Sequence, residues 1–113
     1  MSKVFDRVKE SSTSTGAGNI TLNGPVPGFQ SFANVLSVGD KTFYSIVADD
    51  NTWETGIGTY SSANVLERST VFESSSGGAK VTFTPGPKSV FISYPASKSI
   101  TKDQSIALSI ALG

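Results

Sequence analysis

The sequence predicts an all-β fold, a single-domain antiparallel β-sandwich or barrel of about seven to eight strands with at most one short helix. Several segments alternate apolar and polar residues with a period of two, which is the pattern of half-buried strands. Glycine, proline, asparagine and aspartate interrupt these segments at short intervals and supply turn chemistry. A length of 113 residues provides one hydrophobic core and not two. Residues 1–113 are therefore expected to form one β domain.

Four segments in the body of the chain have distinct patterns. Residues 42–47 place apolar side chains on both faces, which predicts a strand buried on both sides. Residues 64–73 alternate along their whole length and predict a long strand. Residues 30–37 place apolar side chains at helical spacing, and they are the one helix that the pattern predicts. Residues 81–92 contain Pro85-Gly86-Pro87-Lys88 between two apolar pairs, which predicts a hairpin with a proline-rich tip.

Large residues and glycines share the segment from Trp53 to Tyr60. Trp53 is predicted to lie on one face of a strand, and Gly56 and Gly58 near the other. A glycine inside a strand commonly marks a bulge or a place where another segment approaches closely. We therefore interpret Trp53, Gly56, Gly58 and Tyr60 as a structural motif of the sheet.

The two ends of the chain are predicted to contact other proteins. Residues 97–113 contain a polar tether followed by the most regular strand pattern in the sequence, and residues 1–10 are predicted to form an N-terminal arm or a first strand. The terminal strand pairs either with its own sheet or with the sheet edge of a neighbouring subunit. The predicted interface consists first of Ile106, Leu108, Ile110 and Leu112, and second of Val4, Phe5 and Val8.

The composition excludes several classes of function. There is no cysteine and no histidine, so disulfides, thiolate zinc sites and Ser-His-Asp or Cys-His catalytic sets cannot form. Nine basic and nine acidic residues give a formal net charge of zero, so no long-range field attracts nucleic acid or an anionic membrane. We expect no catalytic residue, no metal site, no cofactor, no nucleic-acid partner and no membrane contact.

A run of oxygen-bearing side chains could in principle bind a hard cation. It consists of Asp49, Asp50 and Asn51, with Glu54 close behind. The spacing does not match an EF-hand loop. Such a run between strands favours a turn, which is the interpretation adopted here.

Three aromatic residues could form a sugar-binding platform if they were exposed in a row. They are Tyr44, Trp53 and Tyr60. Aromatic rings stack on the apolar faces of sugars while their polar ends stay hydrated. Core packing is the commoner use of such residues and is the favoured interpretation.

Six short segments follow one another in a fixed order between about residue 6 and residue 97. They are Asp6-Arg7-Val8-Lys9-Glu10, Gly28-Phe29-Gln30-Ser31-Phe32, Trp53-Glu54-Thr55-Gly56-Ile57-Gly58-Thr59-Tyr60, Leu66-Glu67-Arg68, Ser74-Ser75-Ser76-Gly77-Gly78 and Val90-Phe91-Ile92-Ser93-Tyr94-Pro95-Ala96. In this order and spacing they resemble a small domain of virion structural proteins of tailed bacteriophages. In that family the domain often forms the particle-proximal end of a longer fibre protein.

The resemblance implies a non-enzymatic virion protein, made in the host cytoplasm, that contacts other capsid or tail proteins and copies of itself, for example as a trimer. Only 17 residues follow Ala96, so we expect an accessory subunit and not a complete fibre. A small capsid decoration or cement subunit is the first expectation. A tail or baseplate adaptor that anchors fibres is the alternative, and a glycan-binding β module is an alternative of another class.

Overall fold

Seven β-strands and one short 3-10 helix make up the fold in the computed structural model, which describes residues 2–93. The strands are β1 (Ser2–Lys3), β2 (Lys9–Ser12), β3 (Ile20–Thr21), β4 (Lys41–Ala48), β5 (Trp53–Ser62), β6 (Val65–Ser74) and β7 (Lys88–Phe91). The 3-10 helix spans Phe32–Asn34, between β3 and β4. Nothing helical in these residues has the length and apolar character needed to cross a bilayer.

The strands form one sheet that curls into a nearly closed barrel. The strand order is β2-β7-β4-β5-β6-β3, with antiparallel neighbours throughout, and β1 adds in parallel to the start of β4. After β3 the chain runs alongside β2 and closes the gap between the two ends of the sheet. There Ser11 N–H on β2 donates to Gly24 O at 3.1 Å. Val26 N–H donates to Lys9 O at 3.0 Å. The predicted all-β antiparallel fold is confirmed, in its barrel form.

The barrel interior is filled by the inward side chains of each strand. On β4, Tyr44 and Ile46 point inward and are 0% exposed, whereas Val47 points outward and is 44% exposed. The prediction of burial on both faces is wrong at Val47, because no second layer of described residues covers it. The buried apolar residues are Val8, Ile20, Leu22, Phe32, Leu36, Tyr44, Ile46, Ala48, Tyr60, Leu66, Val81, Phe83, Val90 and Ile92.

Gly56 and Gly58 face the barrel interior on β5 and are packed too closely for a side chain. A Cβ at Gly56 would lie 1.9 Å from the carbonyl oxygen of Thr70 on β6 and 3.0 Å from the Tyr44 hydroxyl. A Cβ at Gly58 would lie 2.8 Å from the Leu66 side chain. The β5–β6 register shifts beside both glycines, so the predicted bulges and close approaches are confirmed.

The predicted helix is present only as a short 3-10 turn. Phe32 and Leu36 are both buried, as helical spacing requires, and Leu36 N–H donates to Phe32 O at 2.9 Å. The turn begins at Ser31, whose hydroxyl accepts a hydrogen bond from Asn34 N–H at 3.1 Å. The turn ends at Val35, whose φ of −120° lies outside the helical range, so no longer helix forms over residues 30–37.

The hairpin predicted around residues 85–88 is wrong. β7 pairs with β2 on one side and β4 on the other, which leaves no edge for the segment that precedes it. That segment makes a single bridge, between Phe83 and Gly16. Pro85 and Pro87 have no N–H to donate, so the chain turns between these segments without forming a ladder.

The close packing at Gly56 predicts a large effect of the smallest possible side chain. Gly56→Ala should lower the free energy of unfolding by about 2–3 kcal/mol or more, because β5 and β6 must separate to admit the methyl group. The measurement is urea denaturation followed by circular dichroism. Gly18→Ala is the matched control, since a Cβ there meets no atom within 4 Å. Equal stability of the two variants would contradict the packing described here.

Candidate interaction surface

A buried ion pair joins Glu54 on β5 to Arg68 on β6 inside the barrel. Arg68 Nη1 donates to Glu54 Oε1 at 2.9 Å, and both side chains are 0% exposed. The other carboxylate oxygen accepts a hydrogen bond from the hydroxyl of Tyr44 at 2.6 Å. Burial, and then this hydrogen bond to the carboxylate, raise the pKa of Tyr44 far above its usual range. Tyr44 therefore stays protonated and acts as a donor to Glu54.

The remaining donors of Arg68 hold two loops against the barrel. Nε donates to Gly18 O and Nη2 to Gly16 O, each at 3.0 Å. Nη1 also donates to Val81 O at 3.0 Å. Val81 N–H in turn donates to Glu54 Oε1 at 2.8 Å. One guanidinium thus fixes both the loop after β2 and the segment after β6.

Two further charged side chains are buried and are satisfied by the main chain. Glu10 is 1% exposed, and its carboxylate accepts hydrogen bonds from Gly24 N–H at 3.0 Å and Phe32 N–H at 2.8 Å. Lys88 is 3% exposed and donates to two carbonyl oxygens of the preceding turn at 2.8 Å each. Across the described chain, every buried side-chain nitrogen and oxygen has a hydrogen-bond partner. These charged groups hold the barrel together and do not face solvent.

Apolar side chains cover part of the outside of the barrel. Val47 on β4 lies directly opposite Trp53 on β5, and the two are 44% and 38% exposed. Phe43 lies opposite Ile57 further along the same strands. Phe91 on β7 pairs with Ser45, which lies between Phe43 and Val47 on the same face of β4. These five side chains, Phe43, Val47, Trp53, Ile57 and Phe91, are called the outer patch below.

Two open grooves flank the outer patch along β7. One, of about 270 Å³, is lined by Phe91 together with Arg7, Lys9 and Phe29. The Arg7 guanidinium carbon lies 3.9 Å, and Lys9 Nζ 5.1 Å, from the centre of the Phe29 ring. The other groove, of about 370 Å³, has Val47 among the residues that line it. The face therefore combines exposed apolar groups with cations stacked on an aromatic ring, a composition typical of protein interfaces.

The residues predicted as interface from the sequence differ in where they lie. Val8 is 2% exposed in the core, Phe5 packs against that core, and Val4 is 39% exposed. The tether and terminal strand, residues 97–113, lie outside the described residues. This part of the chain includes Ile106, Leu108, Ile110 and Leu112, so the contacts predicted for these four residues stay predictions.

The acidic run after β4 does not converge on one point. Glu54 points into the barrel towards Arg68. Asp50 Oδ1 accepts a hydrogen bond from the Thr52 hydroxyl at 2.6 Å, and Oδ2 accepts one from the Thr84 hydroxyl at 2.9 Å. The bonds from Thr52 and Thr84 hold the pKa of Asp50 below its usual value. Residues 2–93 contain no group of three acidic side chains placed to hold a metal ion.

The three aromatic residues considered as a platform do not form an exposed row. Tyr44 and Tyr60 lie inside the barrel and are 0% and 3% exposed. The Tyr60 hydroxyl accepts a hydrogen bond from Asn64 N–H at 2.9 Å and so fixes the turn into β6. Of the three, Trp53 is the one that reaches the surface, where it belongs to the outer patch.

Sequence reasoning missed the buried ion pair, because Glu54 was considered there only as a possible cation ligand beside the acidic run. The alternation of inward and outward residues along the two strands could have revealed this pair. Glu54 alternates in phase with Gly56, and Arg68 with Leu66, so both charges fall on the inward face. Recognising two opposite charges at inward positions of adjacent strands would have predicted the pair.

Comparisons with family models, with curated proteins and with solved structures give no match for this chain. The barrel and the outer patch therefore have to be interpreted from their own residues and contacts.

The buried pair predicts that removing one charge will be costly. Arg68→Met should lower the free energy of unfolding by about 3–5 kcal/mol, because Glu54 would be left charged and without its partner in the barrel interior. Guanidinium denaturation of the purified variant measures this. Lys3→Met is the control, because it removes a cation from the exposed Lys3–Asp40 pair, and it should change stability little.

A double variant separates charge from packing. Glu54→Gln combined with Arg68→Met leaves no unpaired charge, so it should be more stable than Arg68→Met alone. An Arg68→Met protein as stable as the parent would show that the ion pair does not hold the barrel.

Proposed function

We propose that this chain is a non-enzymatic structural subunit of a tailed-phage particle, a small capsid decoration or cement protein that binds the particle through protein–protein contacts. It needs no cofactor and no metal. Its partners are capsid proteins and further copies of itself in the virion, after synthesis in the host cytoplasm. The phage setting is supported by the six ordered segments between about residue 6 and residue 97.

The observation that carries the proposal is the outer patch. Val47 and Trp53 face each other on the outside of the barrel, with large fractions of their surface exposed. Exposed apolar groups that lie together cost free energy in water and mark surfaces that bind other proteins. The barrel's buried charges, by contrast, are engaged in holding it together, as the Glu54–Arg68 pair illustrates. The exposed apolar face is therefore suited to binding another protein, whereas the buried charged groups are already engaged within the fold.

Capsid decoration fits a small domain with one such face. Many copies bind equivalent positions on the shell, and each bound copy stabilises the folded shell by mass action. A tail or baseplate adaptor would use the same kind of face at far fewer positions. The two roles therefore differ mainly in the number of copies per particle.

The first test of the proposal is the copy number in purified virions. A decoration subunit should be present at on the order of hundreds of copies per particle, following the symmetry of the shell. Quantitative mass spectrometry against the major capsid protein measures the ratio. Copy numbers in small multiples of three or six would support the adaptor instead, and absence from the virion would overturn both roles.

The second test asks whether the outer patch makes the contact. Val47→Asp should strongly reduce binding of the purified subunit to particles that lack it, because binding would bury a new charge. Val38→Asp is the control, since Val38 is 64% exposed but lies outside the patch. Trp53→Thr, which keeps a residue suited to a strand, provides a second patch variant. Unchanged particle binding by both patch variants would rule out this face.

The glycan-binding alternative makes a different prediction for the same residue. If the protein were a sugar-binding module, Trp53→Thr would remove binding on a glycan array while particle binding stayed intact. The structural role predicts no sugar binding by the parent protein.

A further inference from the structure

The described chain ends on the same face as the outer patch. Ser93 Oγ lies 2.8 Å from Ser45 Oγ, at hydrogen-bonding distance. Ser45 is the outward residue of β4 between Phe43 and Val47, and its partner across the sheet is Phe91. Everything that follows Ser93 therefore starts at the edge of the outer patch.

The sequence after Ser93 contains an apolar segment that can reach this patch. Residues 94–105 connect Ser93 to the alternating run of Ile106, Leu108, Ile110 and Leu112. A connection of this length spans up to ~40 Å when extended, and the longest dimension of the molecule is 39 Å. Residues 104–112 carry no charged side chain, so the run can be buried without desolvating a charge.

We propose that this terminal segment folds back in the isolated subunit and covers the outer patch of its own chain. As a strand, seven residues such as 106–112 would extend over ~20 Å, and the patch from Phe43 to Val47 extends over ~13 Å along β4. A segment tethered by a short connection has an effective concentration in the millimolar range. Its own patch is therefore occupied before a second copy can compete at ordinary protein concentrations.

This inference concerns the isolated subunit and does not depend on the phage role. It explains how a protein of zero net charge, which lacks charge repulsion between copies, keeps an apolar face covered before it meets a partner. A partner that binds the outer patch would have to displace the segment.

Trp53 provides a direct probe, because it lies in the outer patch and is the one tryptophan of the sequence. In the full-length chain, Leu108→Ser together with Ile110→Ser should shift Trp53 emission to longer wavelength and increase quenching by acrylamide, since the ring loses its cover. Ala107→Ser together with Ala111→Ser is the matched control, because it alters the other face of the same segment and should leave emission unchanged. Parent-like fluorescence of the Leu108 and Ile110 variant would overturn the proposal.

Dilution distinguishes the chain's own segment from that of a second copy. Protection of Trp53 that stays constant over a hundredfold dilution supports binding within one chain. If dilution removes both the protection of Trp53 and a dimer, the segment is exchanged between copies and the proposal is overturned.

A cross-link tests the same contact without weakening the segment. The chain has no cysteine, so the pair Thr55→Cys and Ile110→Cys introduces the two thiols of the molecule. Thr55 lies on the outward side of β5 between Trp53 and Ile57, so mild oxidation should give a disulfide-linked monomer. The control pair, Val38→Cys and Ile110→Cys, should form it much more slowly. Equal rates for the two pairs, or a linked dimer, would overturn the proposal.

Discussion

The ion pair between Glu54 and Arg68 is the contact on which the rest of the barrel depends. Either charge without the other would cost about 3–5 kcal/mol in an interior closed to water. The pair connects β5 to β6 and, through Tyr44, to β4. The same guanidinium binds the carbonyl groups of Gly16, Gly18 and Val81, which have no regular ladder of their own. The ion pair thus decides where two irregular segments lie.

The glycines of β5 make room for this network. Gly56 allows the backbone of β6 to approach within the space that a Cβ would occupy, and Gly58 lies directly opposite Arg68 in the register. The Arg68 guanidinium carbon also lies 5.2 Å from the centre of the Phe83 ring, which belongs to the buried core. Small residues on one strand therefore face large side chains on the next.

Strand parity could be predicted from the sequence, but long-range pairing could not. The alternation of residues 64–73 and the glycines at positions 56 and 58 pointed to a long strand and to bulges, and both are present. The placement of β7 between β2 and β4 was missed, because nothing local in residues 81–92 reveals that a distant strand is a better partner. The outer patch was missed at Val47, since sequence alternation shows two apolar faces without showing whether a second layer covers one of them.

Closure of the barrel has a consequence for how partners can be recognised. Residues 23–26 join the β3 side of the sheet to β2, which removes one free edge. The second edge of β6 is paired with β3 at Val65 and Leu66, and beyond them β6 carries two register shifts and the charges of Glu67 and Glu73. Such an edge is a poor template for an added strand. Recognition then falls to side chains on a face and not to backbone groups, so single substitutions can change partner choice while the barrel itself is left intact.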